Sequence, residues 1–503
     1  MKKFVSLIMM LVLALSMMTT PAMAEAPVDL LWVPTVLNGS SIYPGSDSFV
    51  AQKINEMFNV NITVQEVNSQ KNDEMALMYA SGIIPDVNPI FPNYFYSYYD
   101  QGLFREIPMD MLKEYAPTYY EFASQCINFD TMPSMVEGKL YGLPHTTNPP
   151  PNLSVIRTDW LEKLGLAVPT TLEEFEEVCR AFAQDDPDGD GVADTWALAW
   201  GSKWTSNFQF ISAAFGLETD YLVDENGLLM DKRVSENYKE YLKYLQKLYQ
   251  AGYIYPDLTL PTKDNISELL TNGTIGYFND TYTWFMPLYR PSAYYARLFD
   301  QNPEAKTAYV APFTNVYTGE KSTLQVGAQA WVYTCIGANT TDEQLIKILQ
   351  IFEKQCADPY FHNLIWRGEE NVHYTLNEDG MAIYTDAYAV LDEQQKAGLK
   401  TFFINMRFGE QLVWSYGKEV GVQMDFIAQN FAPLTEPHIP TNTYNAAALE
   451  LSADVNAIAD EFFMRALSST MDIDAEWDAY VKNMNKSGLA EIMDEYNAVW
   501  TAK

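Results

Sequence analysis

The chain has 503 residues, 48% hydrophobic and 19% charged, which suits more than one packed core and excludes a disordered chain. A formal net charge of −34 argues against nucleic acid or an anionic membrane surface as partner, because both are polyanions. The acidic residues are spread over solvated faces and form no single cation trap. In chain order, residues 1–24 read as a secretory signal, with Lys2 and Lys3, the apolar stretch FVSLIMMLVLALSMM, and AMA before Glu25. No cysteine stands at that cleavage point, so the exported chain is expected to be soluble, in a periplasm or the medium. The run VDLLWVPT then predicts a buried strand, SDSFVAQKINEMF an amphipathic helix and NITVQEV a second strand. Strand, helix, strand is the opening of an α/β fold with a parallel sheet.

LPHTTNPPPN (residues 143–152) breaks this pattern; its prolines bar a helix and a central strand, so the chain must cross open space there. TTLEEFEEVCRAFAQ follows as a helix, with Thr171 and Glu174 in a capping box and Leu172, Phe175, Val178 and Phe182 on one face. SENYKEYLKYLQKLYQAG is a second amphipathic helix, AYVAPF and AWVYTCIG are strands, and DEQLIKILQIFEKQ a third helix. From about Asn442 to Lys503 the chain reads as helical only. Four cysteines (Cys126, Cys179, Cys335 and Cys356) permit one or two disulfides, while the apolar settings of Cys179 and Cys335 suit buried thiols at least as well.

DPDGDGVAD (residues 186–194) carries the chemistry of an oxygen-ligand cation site. Asp186, Asp188 and Asp190 fit positions 1, 3 and 5 of an EF-hand-like loop, Gly191 the turn, the Val192 carbonyl position 7 and Asp194 position 9. Ala197 stands where a bidentate acid would close a regular EF-hand. Four carboxylates in nine residues repel one another, and a bound cation relieves that repulsion. Calcium is the expected cofactor, as a staple between a helix and the strand-like TWALAW. The four histidines form no metal triad, and no nucleophile elbow, phosphate loop or HExxH run is present. An enzyme is not expected.

GKLYGLP (138–144), RTDWLEKLGLAVPTTLEEF (157–175) and DPDGDGVADTW (186–196), in this order, resemble the family 1 extracellular solute-binding proteins of ABC importers, especially the calcium-loop subgroup. YASGIIPDV, GTIGYFND and NVHYTLNEDG resemble further landmarks of that family. The resemblance implies a periplasmic-binding-protein-like fold: two α/β lobes, a cleft between them, two or three crossing segments and a helical C-terminal tail. It divides the chain into lobe one (25–147 and 308–355) and lobe two (148–307 and 356–503). It implies ligand contacts from Thr35, Phe91 and Asn93 in lobe one, and from Trp204, Asp280, Trp284, Trp366, Arg367 and Trp414 in lobe two. The sequence holds 33 Tyr and 11 Trp, and flat aromatic faces stack well on sugar rings. Arg157 is a further candidate, although a salt bridge inside its lobe explains it more simply. The expectation is a monomer that captures a sugar or oligosaccharide unchanged, closes on its hinge and delivers it to a permease. A peptide-binding receptor is the rival reading. A secreted glycoside hydrolase would need two carboxylates roughly 5–10 Å apart across the cleft.

Overall fold

A computed structural model describes residues 26–36, 42–127, 129–147, 152–199, 208–258, 268–281, 294–322, 324–326, 330, 332–376, 382–402, 406–407, 419–433 and 445–501. Its first elements are β1 (Val28–Trp32), α1 (Phe49–Phe58), β2 (Val60–Val64), β3 (Val87–Ile90), α2 (Pro92–Tyr99) and β4 (Gly142–Thr147). The chain continues through β5 (Asn152–Arg157), α3 (Thr158–Leu164), α4 (Leu172–Gln184), α5 (Glu236–Gln250), β6 (Tyr277–Thr281), β7 (Thr307–Val310) and β8 (Leu324–Val326). It ends with β9 (Val332–Ile336), α6 (Asp342–Ala357), α7 (Pro359–Arg367), β10 (Met406–Arg407), α8 (Glu419–Asn430), β11 (Phe431–Pro433), α9 (Ala446–Ser468), α10 (Ile473–Met484) and α11 (Ala490–Thr501).

Two sheets organise these elements. The first has the order β10-β4-β9-β3-β1-β2, with β1 parallel to both β2 and β3, as the strand–helix–strand opening requires. Leu30 and Trp32 of β1 point into the first core, where Trp32 meets Phe352 and Phe402 edge-on at 5.9 and 5.8 Å. The second sheet is β6-β5-β7, antiparallel throughout. Successive side chains of β5 serve opposite faces, as a strand dictates. Ile156 joins Trp160, Phe175, Phe182 and Tyr277 in the second core, while Leu153 and Val155 join Phe210, Phe278 and Ile427 on the other side. The predicted helical tail is α9 to α11, and its Val455, Phe462 and Ala466 close the second core against Tyr241, Leu245 and Leu248 of α5.

One expectation is corrected at the proline-rich break. Leu143–Thr147 are strand, not open crossing, and Pro144 sits inside β4 opposite Tyr333. Among the described residues β10 pairs with Thr146 and Thr147 alone, and the Pro144 carbonyl accepts from the Tyr119 hydroxyl at 2.9 Å. Among the described residues, the side of β4 on which Pro144 lacks its N–H has no ladder to interrupt. Residues 148–151, which include the three consecutive prolines, lie outside the described residues.

The packing also moves the expected division points. Thr307–Val310 pair with β5, and Phe313 lies in the second core, so the return to the first sheet comes later than residue 308. Phe361, Leu364, Ile365, Trp366, Leu399 and Phe402 pack in the first core with Trp32, so that core extends past residue 355 to Phe402. The reason lies in α7, which directly follows α6 and lays its apolar face on the same core. Among the described residues the chain thus passes between the cores three times, at 147–152, 313–332 and 407–419, and β8 of the second of these pairs in parallel with β11.

Candidate ligand and ion sites

Strand direction decides which residues can meet. β4 is antiparallel to β9, which is antiparallel to β3, so β1, β3 and β4 all end on the same edge of the first sheet. Thr35 follows β1 there, Phe91 and Asn93 follow β3, and the chain leaves from the end of β4 for the second sheet. In the second sheet, β5 begins at Asn152 on the crossing side, and its antiparallel partner β6 ends there, with Asp280 opposite Leu153. The backbones of Thr35, Phe91, Asn93 and Asp280 thus lie on the two sheet edges joined by the crossing. Open α/β sheets bind ligands outside such carboxyl-terminal edges.

The surroundings of these residues differ. Thr35 is buried; its N–H donates to the Thr401 carbonyl at 3.0 Å and its carbonyl accepts from Gln395 Nε2 at 3.4 Å. Phe91 is the half-buried residue before α2, and Asn93 is exposed in the first turn of that helix. Trp366 does not present an open stacking face: it is 5% exposed, packed in the first core, with Lys400 Nζ 5.8 Å from its ring centre. Arg367 ends the same helix and is half-buried, so both belong with the first core and not, as expected, with the second. The Asp280 side chain, and Trp204, Trp284 and Trp414 entirely, lie outside the described residues. Arg157 donates from Nε to Asp159 at 2.8 Å and pairs with it again through Nη2, and its guanidinium stacks on Trp160 at 4.7 Å. It is the salt bridge inside the lobe that the simpler reading gave it. Burial pushes the Asp159 carboxyl up, but the bond and charge of Arg157 outweigh this and hold it below the ordinary aspartate value.

Gln395, Lys400 and Thr401 beside Thr35 were not anticipated. Gln395 lies at the end of a short helix, residues 391–396, and Lys400 and Thr401 in the turn after it, where Lys400 adopts φ 60°. No periodicity or motif marks such a turn. Only its contacts with the end of β1 reveal it.

The aspartate loop follows α4 directly. Carboxylate oxygens of Asp186, Asp188 and Asp190 lie within 4.8 Å of one another, and Asp194 stands outside that group. The Asp186 carboxylate accepts from the N–H groups of Gly189 (2.9 Å) and Gly191 (3.1 Å), and that of Asp190 from Val192 (2.7 Å). Gly191 takes φ 89°, a left-handed turn that L side chains resist. Desolvation pushes the Asp186 carboxyl up, but the two glycine N–H groups, Asp188 and Lys163 together carry it below its ordinary value. Asp188 goes the other way, raised first by desolvation and then by its bond to Asp186. This hard, all-oxygen donor set fits calcium. Thr195 turns inward, donating to the Phe182 carbonyl at 2.6 Å, and so adds no ligand; it pins the loop to the end of α4.

Cys179 and Cys335 are free and buried, Cys356 is buried, and burial pushes all three thiols up. Among the described residues no helix is long and apolar enough to cross a membrane.

A family model described as bacterial extracellular solute-binding protein matches residues 50–349, a stretch that includes strands of both sheets. The chain is 23% identical over 481 residues to the polygalacturonan/rhamnogalacturonan-binding protein YtcQ of Bacillus subtilis (strain 168), covering 94% of this chain and 91% of that protein. Among solved structures, the alginate-binding protein AlgQ2 without calcium ion superposes with a TM-score of 0.66 at 17% identity, covering 95% of this chain and 98% of the other. An EF-hand mutant of the S. pneumoniae ABC-transporter substrate-binding protein FusA, in complex with fructo-nystose, gives 0.65 at 16% identity, covering 95% and 99%.

Proposed function

The chain belongs to the bacterial extracellular solute-binding proteins, and from that premise we propose that it captures a sugar or oligosaccharide and hands it, unchanged, to the permease of an ABC importer. What carries the reading is the topology: two sheets whose facing edges are joined by the crossing chain, with Thr35 and Phe91 on one and Asp280 on the other. A ligand seated between those edges touches both cores and favours the arrangement in which they approach. It can shift that balance only by binding the closed form better. In this reading Thr35, Phe91, Asn93, Asp280 and Arg367 supply polar and apolar contacts, and Trp204, Trp284 and Trp414 supply stacking faces. Trp366 acts from behind, as core. The chain is exported by its first 24 residues and works as a soluble monomer. The likeness to polygalacturonan/rhamnogalacturonan-binding YtcQ, alginate-binding AlgQ2 and FusA in complex with fructo-nystose favours a polymeric or oligomeric sugar over a peptide.

Asp186, Asp188, Asp190, the Val192 carbonyl and Asp194 would hold calcium, which supplies no chemistry to the ligand and ties the end of α4 to the following strand. A thermal-shift panel of the chain from Glu25 onward, against mono- and oligosaccharides and short peptides, tests the function. Saturation at about 100 times Kd adds roughly 2.7 kcal/mol of stability. A shift with one sugar class and no product formed is the expected result; shifts with peptides alone would overturn the sugar reading.

A further inference from the structure

The aspartate loop gathers three carboxylates within 4.8 Å, yet the acid that would close it is absent: Thr195 is turned inward and position 12 is Ala197. Gathering like charges without a nearby cation is unfavourable. A cation is built in. Lys163, in the last turn of α3, places its Nζ 3.0 Å from the carbonyl of Asp186, the first residue of the loop. The same ammonium lies against Gly189, where even a Cβ would collide with it. The neighbouring charges are committed elsewhere. Arg180 is taken up by Glu177 and Asp185, and Glu162, beside Lys163 on α3, pairs with Lys306 at 2.7 Å.

We propose that the Lys163 ammonium is a tethered counter-ion of the aspartate loop, holding it in its ion-ready shape when calcium is absent and opposing calcium when it arrives. Two consequences follow from one charge. Without metal, the N–H groups of Gly189 and Gly191 stay bonded to Asp186 because the carboxylates are partly neutralised. With metal, the divalent ion must enter beside a fixed positive charge, so the site binds more weakly than its aspartates alone would allow. The second consequence rests on the calcium reading above; the first does not.

The test compares the whole mature chain with Lys163→Met and Lys163→Arg. Lys163 is exposed, so neither change disturbs a core. Hydrogen exchange of the 186–194 segment is measured by mass spectrometry in excess chelator, and calcium binding by titration calorimetry. Lys163→Met is expected to exchange about tenfold faster in chelator and, once calcium is added, to bind it about tenfold more tightly, with Lys163→Arg near the original protein in both. Unchanged exchange in Lys163→Met overturns the proposal, whatever calcium does. Faster exchange in Lys163→Met and Lys163→Arg alike also overturns it, since the geometry of the lysine and not its charge would then matter. If calcium gives no heat with any of the three proteins but exchange is faster in Lys163→Met alone, the tethered counter-ion stands and the calcium reading fails.

Discussion

His145 lies inside β4 near the crossing, 1% exposed, with its Nε2 2.6 Å from the Thr334 hydroxyl. Burial pushes its pKa from 6.5 to about 3. Below about pH 6.5 the unfolded chain therefore takes up a proton that the folded chain refuses, and stability falls as pH falls. The residue's contribution is fully present above its unfolded pKa and is lost, at about 1.4 kcal/mol per pH unit, as pH falls from there toward its folded pKa. The dependence of unfolding free energy on pH, measured between about pH 6 and 4.5, should be shallower by close to one proton in His145→Gln. An unchanged slope would mean that the folded ring is charged. Trp366 makes a second test at this scale. As a core ring, its replacement in Trp366→Ala should cost about 3–5 kcal/mol. A variant that melts like the original but loses ligand affinity would instead return the ring to the cleft wall.

Elements form where local chemistry and burial agree, and the helix caps show how far each is readable. Thr171 accepts from the Glu174 N–H at 3.2 Å as expected, but the Glu174 carboxylate reaches Thr170 and not the cap residue, so the box is only half made. The complete box is at the start of α6, where Thr341 and Gln344 satisfy each other's backbone. Thr341→Ala should cost about 1 kcal/mol in a denaturant melt, the usual worth of such a cap; no measurable loss would remove the box from the account. Periodic segments were legible because the residues that make their apolar faces lie three or four apart: Leu345, Ile348, Leu349 and Phe352 are all buried as expected. The 391–402 turn was not legible, since its role at Thr35 comes from contacts across more than 350 residues of chain. Pro144 misled for the opposite reason. Proline argues against a central strand only where a ladder runs on its N–H side, and the sequence does not say how far β10 extends. The aspartate loop was readable because its spacing is local. Its neighbour Lys163, on α3 and separated from the loop by the whole of α4, was not.

At the scale of the molecule, two cores are joined, among the described residues, by three crossing segments, and β8, in the second of them, pairs in parallel with β11. Such a junction can bend while each sheet stays intact, because hinge motion is absorbed at a few residues between packed bodies. The division expected from resemblance changes lobes at 308 and at 356, whereas β7 stays with the second sheet and α7 with the first core. Boundaries of this kind follow long-range packing, which no local pattern encodes.

In the proposed function a sugar draws the two lobes together without being changed. Small-angle X-ray scattering of the mature chain, titrated with the oligosaccharide that gives the largest thermal shift, tests it most directly. The expected result is a smaller radius of gyration at saturation, the scattering returning to its original form when the intact sugar is dialysed away. Saturating sugar with unchanged scattering, or sugar recovered as cleaved product, would contradict it.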